Sequence, residues 1–413
     1  MTLPPIYDGG GRSEGVTEAK VFDKIKIVKS ASDMPSSPSS DTLYWVDYAG
    51  LLEVNPITVP SDGLFIKGHN PNLTGIGSTA DNFTLFSGGG NVFADEISFE
   101  VTGANSKVFD LTDPTGTSAV ELTAVNLNNC ASLGELDGFR QFSMVNVGLF
   151  GGKPDLTLSG SMNGIYIDTA LVAGLDADFT GSIFTAGTGL SLSSRFRSNM
   201  RLDLPSGASF CDFAPSNFAD SSLCQMNGGQ FSRDGVVNTG DNNFFPNLDP
   251  EDLACEWRDN NGLRNTHEGG RIEITTEATT SITTSGTYYD IAGTWTASEL
   301  QHFSMPSNGQ LRNNGKNPQE YAAIGEFVID GGTNDVLNIA LVKWSELDQA
   351  FSTVKVFPTQ VFSNNGPRDL AILNFYYTVN LELDDYVKIQ VSNETDTSDI
   401  TLETGSYLQL TRR

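Results

Sequence analysis

Short segments of alternating apolar and polar residues fill residues 60–232, and no twelve-residue window among them has the periodicity of a helix. Val125, Val145 and Ile165 recur at intervals of 20 residues within this region. A repeat near this length, with three short strands per turn, is typical of a parallel β-helix. We predict a right-handed parallel β-helix of about eight or nine coils, with these three side chains stacked inward. An irregular antiparallel β domain is the alternative.

Residues 270–413 form a second all-β region with a different texture. About eight longer strands follow one another at intervals of roughly 10 to 18 residues, which is typical of a two-sheet sandwich. The predicted organisation is an all-β chain with an N-terminal anchor and entry strands at 1–58 and the β-helix at 59–233. A connector follows at 234–269, and the two-sheet sandwich at 270–413.

The charge balance narrows the choice of partners. The chain carries 24 basic and 51 acidic residues, a net charge of −27, and the acidic excess is spread along its length. Such a surface repels nucleic acid and anionic membranes, so we expect neither as a partner. No apolar run approaches the ~20 residues of a membrane-spanning helix.

Four cysteines and three histidines are too widely spaced to suggest a metal site or a cofactor. No CxxC pair occurs among the four cysteines, which are Cys130, Cys211, Cys224 and Cys255. We interpret them as reduced and buried, with a Cys211–Cys224 disulfide as the alternative. The acidic residues within 249–252 and at 384–385 could hold calcium through oxygen ligands, but neither group has EF-hand spacing. We therefore predict no metal and no cofactor.

Catalytic chemistry finds little support in the β-helix segment. We expect Asp176 and Asp178 to share one strand face at positions i and i+2, where they could form the carboxylate pair that glycoside hydrolysis requires. No GxSxG motif is present, and residues 59–233 hold Tyr166 but no tryptophan on which a sugar ring could stack. We assign no catalytic residue. The other carboxylates considered are Asp155, Asp168, Asp203 and Asp212.

Five segments of the C-terminal region stand out: GTWT at 293–296, GQLRNNG at 309–315, VLNIALVKW at 336–344, LDDYVKIQV at 383–391 and GSYLQL at 405–410. Together they make residues 270–413 resemble the jelly roll of the tumour-necrosis-factor/C1q superfamily, as it occurs at the ends of bacteriophage fibre and spike proteins. The resemblance covers about a third of the chain and implies a jelly roll at 270–413.

This resemblance implies a homotrimeric structural protein of a tailed-phage virion, such as a tail fibre, tailspike or capsid decoration. Its expected location is the virion, and its expected partners are other capsid or tail proteins and a host surface glycan. A polysaccharide-degrading tailspike is the alternative function. A passive glycan-binding tip on the jelly roll would use Trp295, Trp344 or loop aromatics.

Two sets of residues are predicted to make the contacts of such an assembly. Surplus aromatic side chains of the jelly roll are the trimer-interface candidates: Tyr288, Tyr289, Phe375 and Tyr377. The Pro- and Gly-rich start of the chain lacks the pattern of a core and is predicted to dock on the particle. Its docking residues are Leu3, Pro4, Pro5, Ile6, Tyr7, Gly9, Gly10 and Gly11.

Overall fold

Strands of the N-terminal half pair in parallel with strands one coil away, as a β-helix requires. The computed structural model describes residues 24–237, 242–362 and 369–413. The described chain divides into two compact units, the second of which begins at Thr266 and also includes Pro250–Leu253. Only about 2% of the residues in these ranges are helical.

The first unit is a β-solenoid of about eight turns with three strand faces. Face A comprises Lys24–Val28, Thr42–Val46, Leu64–Lys67, Val92–Asp95, Ala119–Thr123, Gln141–Val145, Leu223–Asn227, Cys255–Arg258 and the first parts of Ser161–Ala173 and Ser191–Leu204. Face B comprises Gly50–Glu53, Thr74–Ser78, Ser98–Val101, Asn126–Asn128, Gly148–Phe150, the ends of the two long strands, and Gln230–Arg233 with its antiparallel partner Val236–Val237. Face C comprises Ile57–Val59, Thr84–Gly88, Lys107–Thr112, Gly134–Asp137, Leu156–Ser159, Ser182–Ala186 and Ser209–Asp212.

Inward side chains of face A form a continuous buried column. Each member lies opposite the next in the strand register, about 4.8 Å away, and is at most 1% exposed. Phenylalanines from face C fill the interior beside it, and the rings of Phe184 and Phe210 meet edge to face at 5.4 Å. The column consists of Leu64, Val92, Val120, Phe142, Ile165, Phe196, Cys224 and Cys255.

The expected stack of Val125, Val145 and Ile165 is wrong, although the fold is confirmed. Val125 and Ile165 are fully buried, but Val145 is 38% exposed and pairs with Thr123 and Asp168 on the outside of face A. Coils have no constant length, because the loops at their corners differ. Successive column residues are 22 apart from Val120 to Phe142 and 31 apart from Ile165 to Phe196.

A single residue in the left-handed conformation turns the chain from face A to face B in several coils. Ala124, Asn146 and Thr169 occupy this corner with φ of 49°, 56° and 57°. Asn146 donates its backbone N–H to the carbonyl of Asp168 in the next coil at 2.8 Å, and Ala124 donates likewise to Val145. The corner therefore keeps the hydrogen-bond ladder intact while the strand direction changes.

The solenoid extends past both ends of the range expected from the sequence. Lys24–Val28 and Thr42–Val46 already pair in parallel as rungs of face A, inside the segment expected to hold the anchor and entry strands. Cys255–Arg258 forms the last described rung, inside the expected connector. The handedness of the coil stays a prediction.

The second unit is a sandwich of two antiparallel sheets, which confirms the predicted jelly roll. Sheet one comprises Gly269–Thr276, Thr279–Thr280, Thr294–Gln301, Gln319–Asp330, Leu370–Leu381, Ile400–Leu402 and Tyr407–Arg412. Sheet two comprises Tyr289–Asp290, Phe303–Ser304, Gln310–Asn313, Val336–Ser345, Ala350–Gln360 and Tyr386–Asn393. Inward residues of both sheets form one apolar core.

Helical structure is confined to short 3-10 turns in the described residues, at Ala31–Asp33, Pro215–Asn217 and Asn242–Phe244. Across the described ranges, no helix has the length and apolar character needed to cross a membrane.

Candidate subunit interface of the jelly roll

Sheet one carries apolar side chains on the surface that faces away from the core. In the Gln319–Asp330 strand, Ile324 and Val328 lie on that outer surface and are partly exposed, whereas Ala323 and Phe327 point inward and are fully buried. A sheet with one face on the core usually places polar residues on the other face. The outward aliphatic residues therefore need an explanation.

The adjoining Leu370–Leu381 strand contributes the most exposed apolar side chains of this surface. Ile372 is 68% exposed and Tyr376 is 60% exposed. The register places Val328 opposite Ile372 and Ile324 opposite Tyr376, so that each pair is in side-chain contact range. We call these four residues the outer patch.

Polar and charged groups lie within and beside the outer patch. Glu326 and Asn374 lie opposite each other between its two apolar pairs. On the next strand, Tyr407 carries the guanidinium of Arg271 above its ring at 3.9 Å from the centroid, and Arg271 forms an ion pair with Glu273 at 2.9 Å. The outer patch therefore combines two apolar pairs with polar groups between and beside them, and protein–protein interfaces contain both kinds of surface.

Phe375 and Tyr377, two of the predicted interface residues, point away from the outer patch. Phe375 is 8% exposed and stacks on Phe357 of sheet two, and it also lies 5.8 Å from the ring of Phe327. Tyr377 is partly buried against Phe357, with the Lys355 ammonium 5.8 Å from its ring. Both side chains therefore pack within their own sandwich.

Tyr288 and Tyr289, the other two candidates, are partly buried at the start of sheet two. The Tyr289 hydroxyl lies 2.8 Å from the Thr283 hydroxyl and accepts the backbone N–H of Thr284 at 3.0 Å. The structure does not bring these tyrosines together with Phe375. The sequence signal that could have identified Tyr376 is the alternation through Leu370–Leu381, but that pattern does not say which alternate residues face inward.

An aromatic cluster on the outer surface of sheet two consists of Trp344, Phe351 and Tyr386. Trp344 lies 4.8 Å from Phe351 and 6.0 Å from Tyr386 between ring centroids, and its Nε1 donates to Glu346 at 3.2 Å. Lys388 places its ammonium 4.5 Å above Phe351. The contact of Trp344 with a glycan stays a prediction.

Trp295 cannot share that surface role, because it is only 4% exposed within the sandwich core. Its backbone N–H donates to the Asn308 side chain at 2.9 Å, and Gly309 packs against its ring. The expected use of Trp295 at a glycan-binding tip is therefore wrong.

The carboxylate pair considered in the solenoid is held by other groups. Asp176 and Asp178 lie in a turn after the Ser161–Ala173 strand, not on a strand face. Asp176 accepts the backbone N–H of Gly152 at 3.1 Å. Asp178 forms an ion pair with Lys153 at 2.7 Å, and this hydrogen-bonded lysine lowers its pKa.

Glu121 on the outside of face A differs from these ion-paired acids. Its register neighbours are Phe93 and Ser143, and its partial burial raises the pKa of the carboxyl to about 7, an effect that the positive charge of Arg140 opposes. The sequence contained no local signal for this environment, because Phe93 lies a full coil away.

Metal ligands do not converge in the described ranges, where no group of three His, Cys, Asp or Glu side chains could hold an ion. Asp385, a calcium candidate, instead pairs with Lys343 at 2.6 Å and accepts the backbone N–H groups of Glu346 and Glu382 at 2.9 Å.

All four cysteines are buried and free, so the alternative disulfide is wrong. The particle-docking residues at 3–11 lie outside the described residues.

Two solved structures are similar to about a third of this chain. No protein-family model matches the chain, and no curated protein matches it. Murine APRIL in a crystal structure at pH 5.0 aligns over 36% of this chain and 99% of its own length, at 7% identity and a TM-score of 0.27. The Eiger TNF structure from S. frugiperda aligns over 36% of this chain and 92% of its own length, at 12% identity and a TM-score of 0.27.

Proposed function

We propose that this protein is a homotrimeric structural component of a tailed-phage virion, a surface appendage or capsid decoration that docks through its N-terminal residues and contacts a host glycan. The observation that carries the proposal is the outer patch. Ile372 and Tyr376 leave more than half of their surface in water on a sheet whose other face is a closed core. Covering them with another copy of the chain removes that apolar surface from water.

Three features of the chain support a structural role. The solenoid buries a continuous column from Leu64 to Cys255, and about eight stacked turns at ~4.8 Å each form a spacer roughly 40 Å long. The jelly-roll resemblance implies threefold assembly. The net charge of −27 per chain favours a dispersed, soluble particle surface over nonspecific association.

Light scattering of the purified full-length protein tests the assembly. We expect a mass three times that of the 44.4 kDa chain. The double variant Ile372→Glu/Tyr376→Glu should shift the protein to monomers, because each carboxylate would be buried without a partner in the contact. Leu347→Glu is the matched control, since Leu347 is 80% exposed on a loop away from the outer patch and should leave the trimer intact.

A monomeric wild-type protein, or a double variant that stays trimeric, would contradict this use of the outer patch. The location on a virion needs a separate experiment. Deleting residues 1–11 should leave a folded trimer that no longer joins the particle, as measured by its occupancy in images of purified virions. Normal occupancy would place the anchor elsewhere in the chain.

A further inference from the structure

A groove of about 650 Å³ runs along the solenoid beside the corner between faces A and B. Side-chain amides dominate its polar lining, and we call it the amide groove. The polar residues on which the argument rests are Asn72, Asn126, Asn146, Asn199, Arg201 and Gln230.

The electrostatic character of the amide groove differs from that of the whole chain. The protein has 51 acidic residues, yet no Asp or Glu lines this groove. Arg201 is its one charged lining residue among those described. Arg201 is exposed and has no ion pair or hydrogen bond in the described part of the chain, so its guanidinium is available to an anion.

The floor of the amide groove has a regular repeat. Asn126, Gly148, Leu171, Arg201 and Gln230 lie opposite one another on five successive rungs of face B. At ~4.8 Å per rung, this column presents one side chain per step over about 19 Å. Such a repeat fits a linear polymer lying along the solenoid axis.

An aromatic ring lies flat on this floor because Gly148 has no side chain. A Cβ at Gly148 would come 2.2 Å from Cε2 of Phe150 and 2.7 Å from Oδ1 of Asn126. The Asn126 amide is oriented by its hydrogen bond to Asn72 at 2.9 Å. Leu171 on the next rung is 39% exposed and extends the apolar floor. The groove thus combines an apolar ring face with fixed amides.

We propose that the amide groove binds a linear glycan that carries carboxylate groups. The ring of Phe150 packs against the C–H face of one sugar, the amides bind hydroxyls, and Arg201 pairs with a sugar carboxylate. The proposal rests on the proposed contact with a host glycan and gives that contact a place and a chemical class.

Other linear polymers fit the amide groove less well. Nucleic acid binding needs several cations along the path of the phosphates, and this groove offers Arg201 alone within a strongly acidic chain. An extended peptide would add to a free strand edge, but Gly148–Phe150 is already paired on both sides. The amide groove therefore fits best a polymer that is recognised through its hydroxyl groups and through one type of anionic group.

An array of acidic and neutral bacterial surface oligosaccharides, incubated with the full-length protein, tests the proposal. We expect retention on members that carry a carboxylate. Arg201→Gln should weaken binding to those members at least tenfold, and Phe150→Ala should weaken it similarly. Arg197→Gln, which removes an arginine from the outside of face A, is the matched control and should bind as the wild type does.

Absence of binding to every acidic member would overturn the proposal, as would binding that Arg201→Gln and Phe150→Ala leave unchanged. Loss of binding in Trp344→Ala alone would instead assign the glycan to the aromatic cluster of sheet two. The glycan array tests the amide groove and light scattering of the same samples tests the trimer, so failure of one proposal can be distinguished from failure of the other. A monomer that binds acidic glycans would contradict the trimer and support the amide groove.

Discussion

Phe357 and Phe375 stack with their ring centroids 4.1 Å apart and their planes 9° from parallel, although their strands belong to different sheets of the jelly roll. Phe357 comes from Ala350–Gln360 of sheet two, and Phe375 from Leu370–Leu381 of sheet one. This contact joins the two sheets within one chain. It also determines that the next residue, Tyr376, faces outward.

Phe375→Ala should destabilise the chain by about 3–5 kcal/mol, because it leaves a cavity beside Phe357 and Phe327. Leu347→Ala, on an exposed loop, should change the free energy of unfolding by less than about 0.5 kcal/mol. Urea unfolding at one fixed protein concentration measures both. Equal effects would mean that Phe375 is not part of the core.

Gly77→Ala should disrupt the solenoid. A Cβ at Gly77 would come 1.7 Å from the backbone oxygen of Glu100, whose strand is held by the parallel ladder. Gly189→Ala is the control, since its Cβ would meet open space and would cost only the left-handed φ of 67°, about 1–2 kcal/mol. Thermal unfolding should rank Gly77→Ala clearly below Gly189→Ala, and the reverse order would contradict the register.

Glu121 should make stability fall as the pH rises from about 4.5 to about 7. Burial raises the pKa of its carboxyl to about 7 in the folded chain, so between these values the folded state keeps a proton that the unfolded state has released. Stability is therefore fully present below the unfolded pKa and is lost as the pH approaches 7. The loss should amount to at most about 3 kcal/mol.

Comparison with Glu121→Gln isolates this carboxyl from other titrating groups. The difference in the free energy of unfolding between variant and wild type should grow from pH 4.5 to pH 7 and then level off. A constant difference for Glu121→Gln over the same range would show that the carboxyl is not buried.

The four thiols should resist alkylation until the chain unfolds. Burial raises the pKa of Cys130 to about 12 and raises that of Cys211 as well, so neither forms the reactive thiolate near neutral pH. Cys224 and Cys255 are buried opposite each other on adjacent rungs. Mass spectrometry after iodoacetamide treatment at pH 8 should show no modification in buffer and four modifications in guanidinium. Stoichiometric labelling of the native protein would contradict this core.

The pattern of residues was sufficient to predict both fold types. Each strand can be recognised from the sequence because its apolar residues recur two positions apart, as in Ala119–Thr123 and Gln319–Asp330. Turn residues between these segments mark where one strand ends and the next begins. The wide spacing of the cysteines, with no CxxC pair, predicted that they are buried and reduced. The coil length was not predictable, because corner loops differ in length while the column spacing is set by strand pairing.

The tertiary structure alone decided which side of each strand faces inward. Val145 was expected in the inward stack, but it follows inward-facing Met144 and lies on the outer surface. Tyr376 follows inward-facing Phe375, the expected interface residue, and it is Tyr376 that lies on the outer surface. A shift of one residue exchanges the two faces of a strand, and partners a whole coil or more away in the chain determine that choice. Local sequence therefore determined the strands, the turns and the two architectures. Long-range pairing decided the coil register, the outer patch and the amide groove, because those surfaces form only when distant rungs come together.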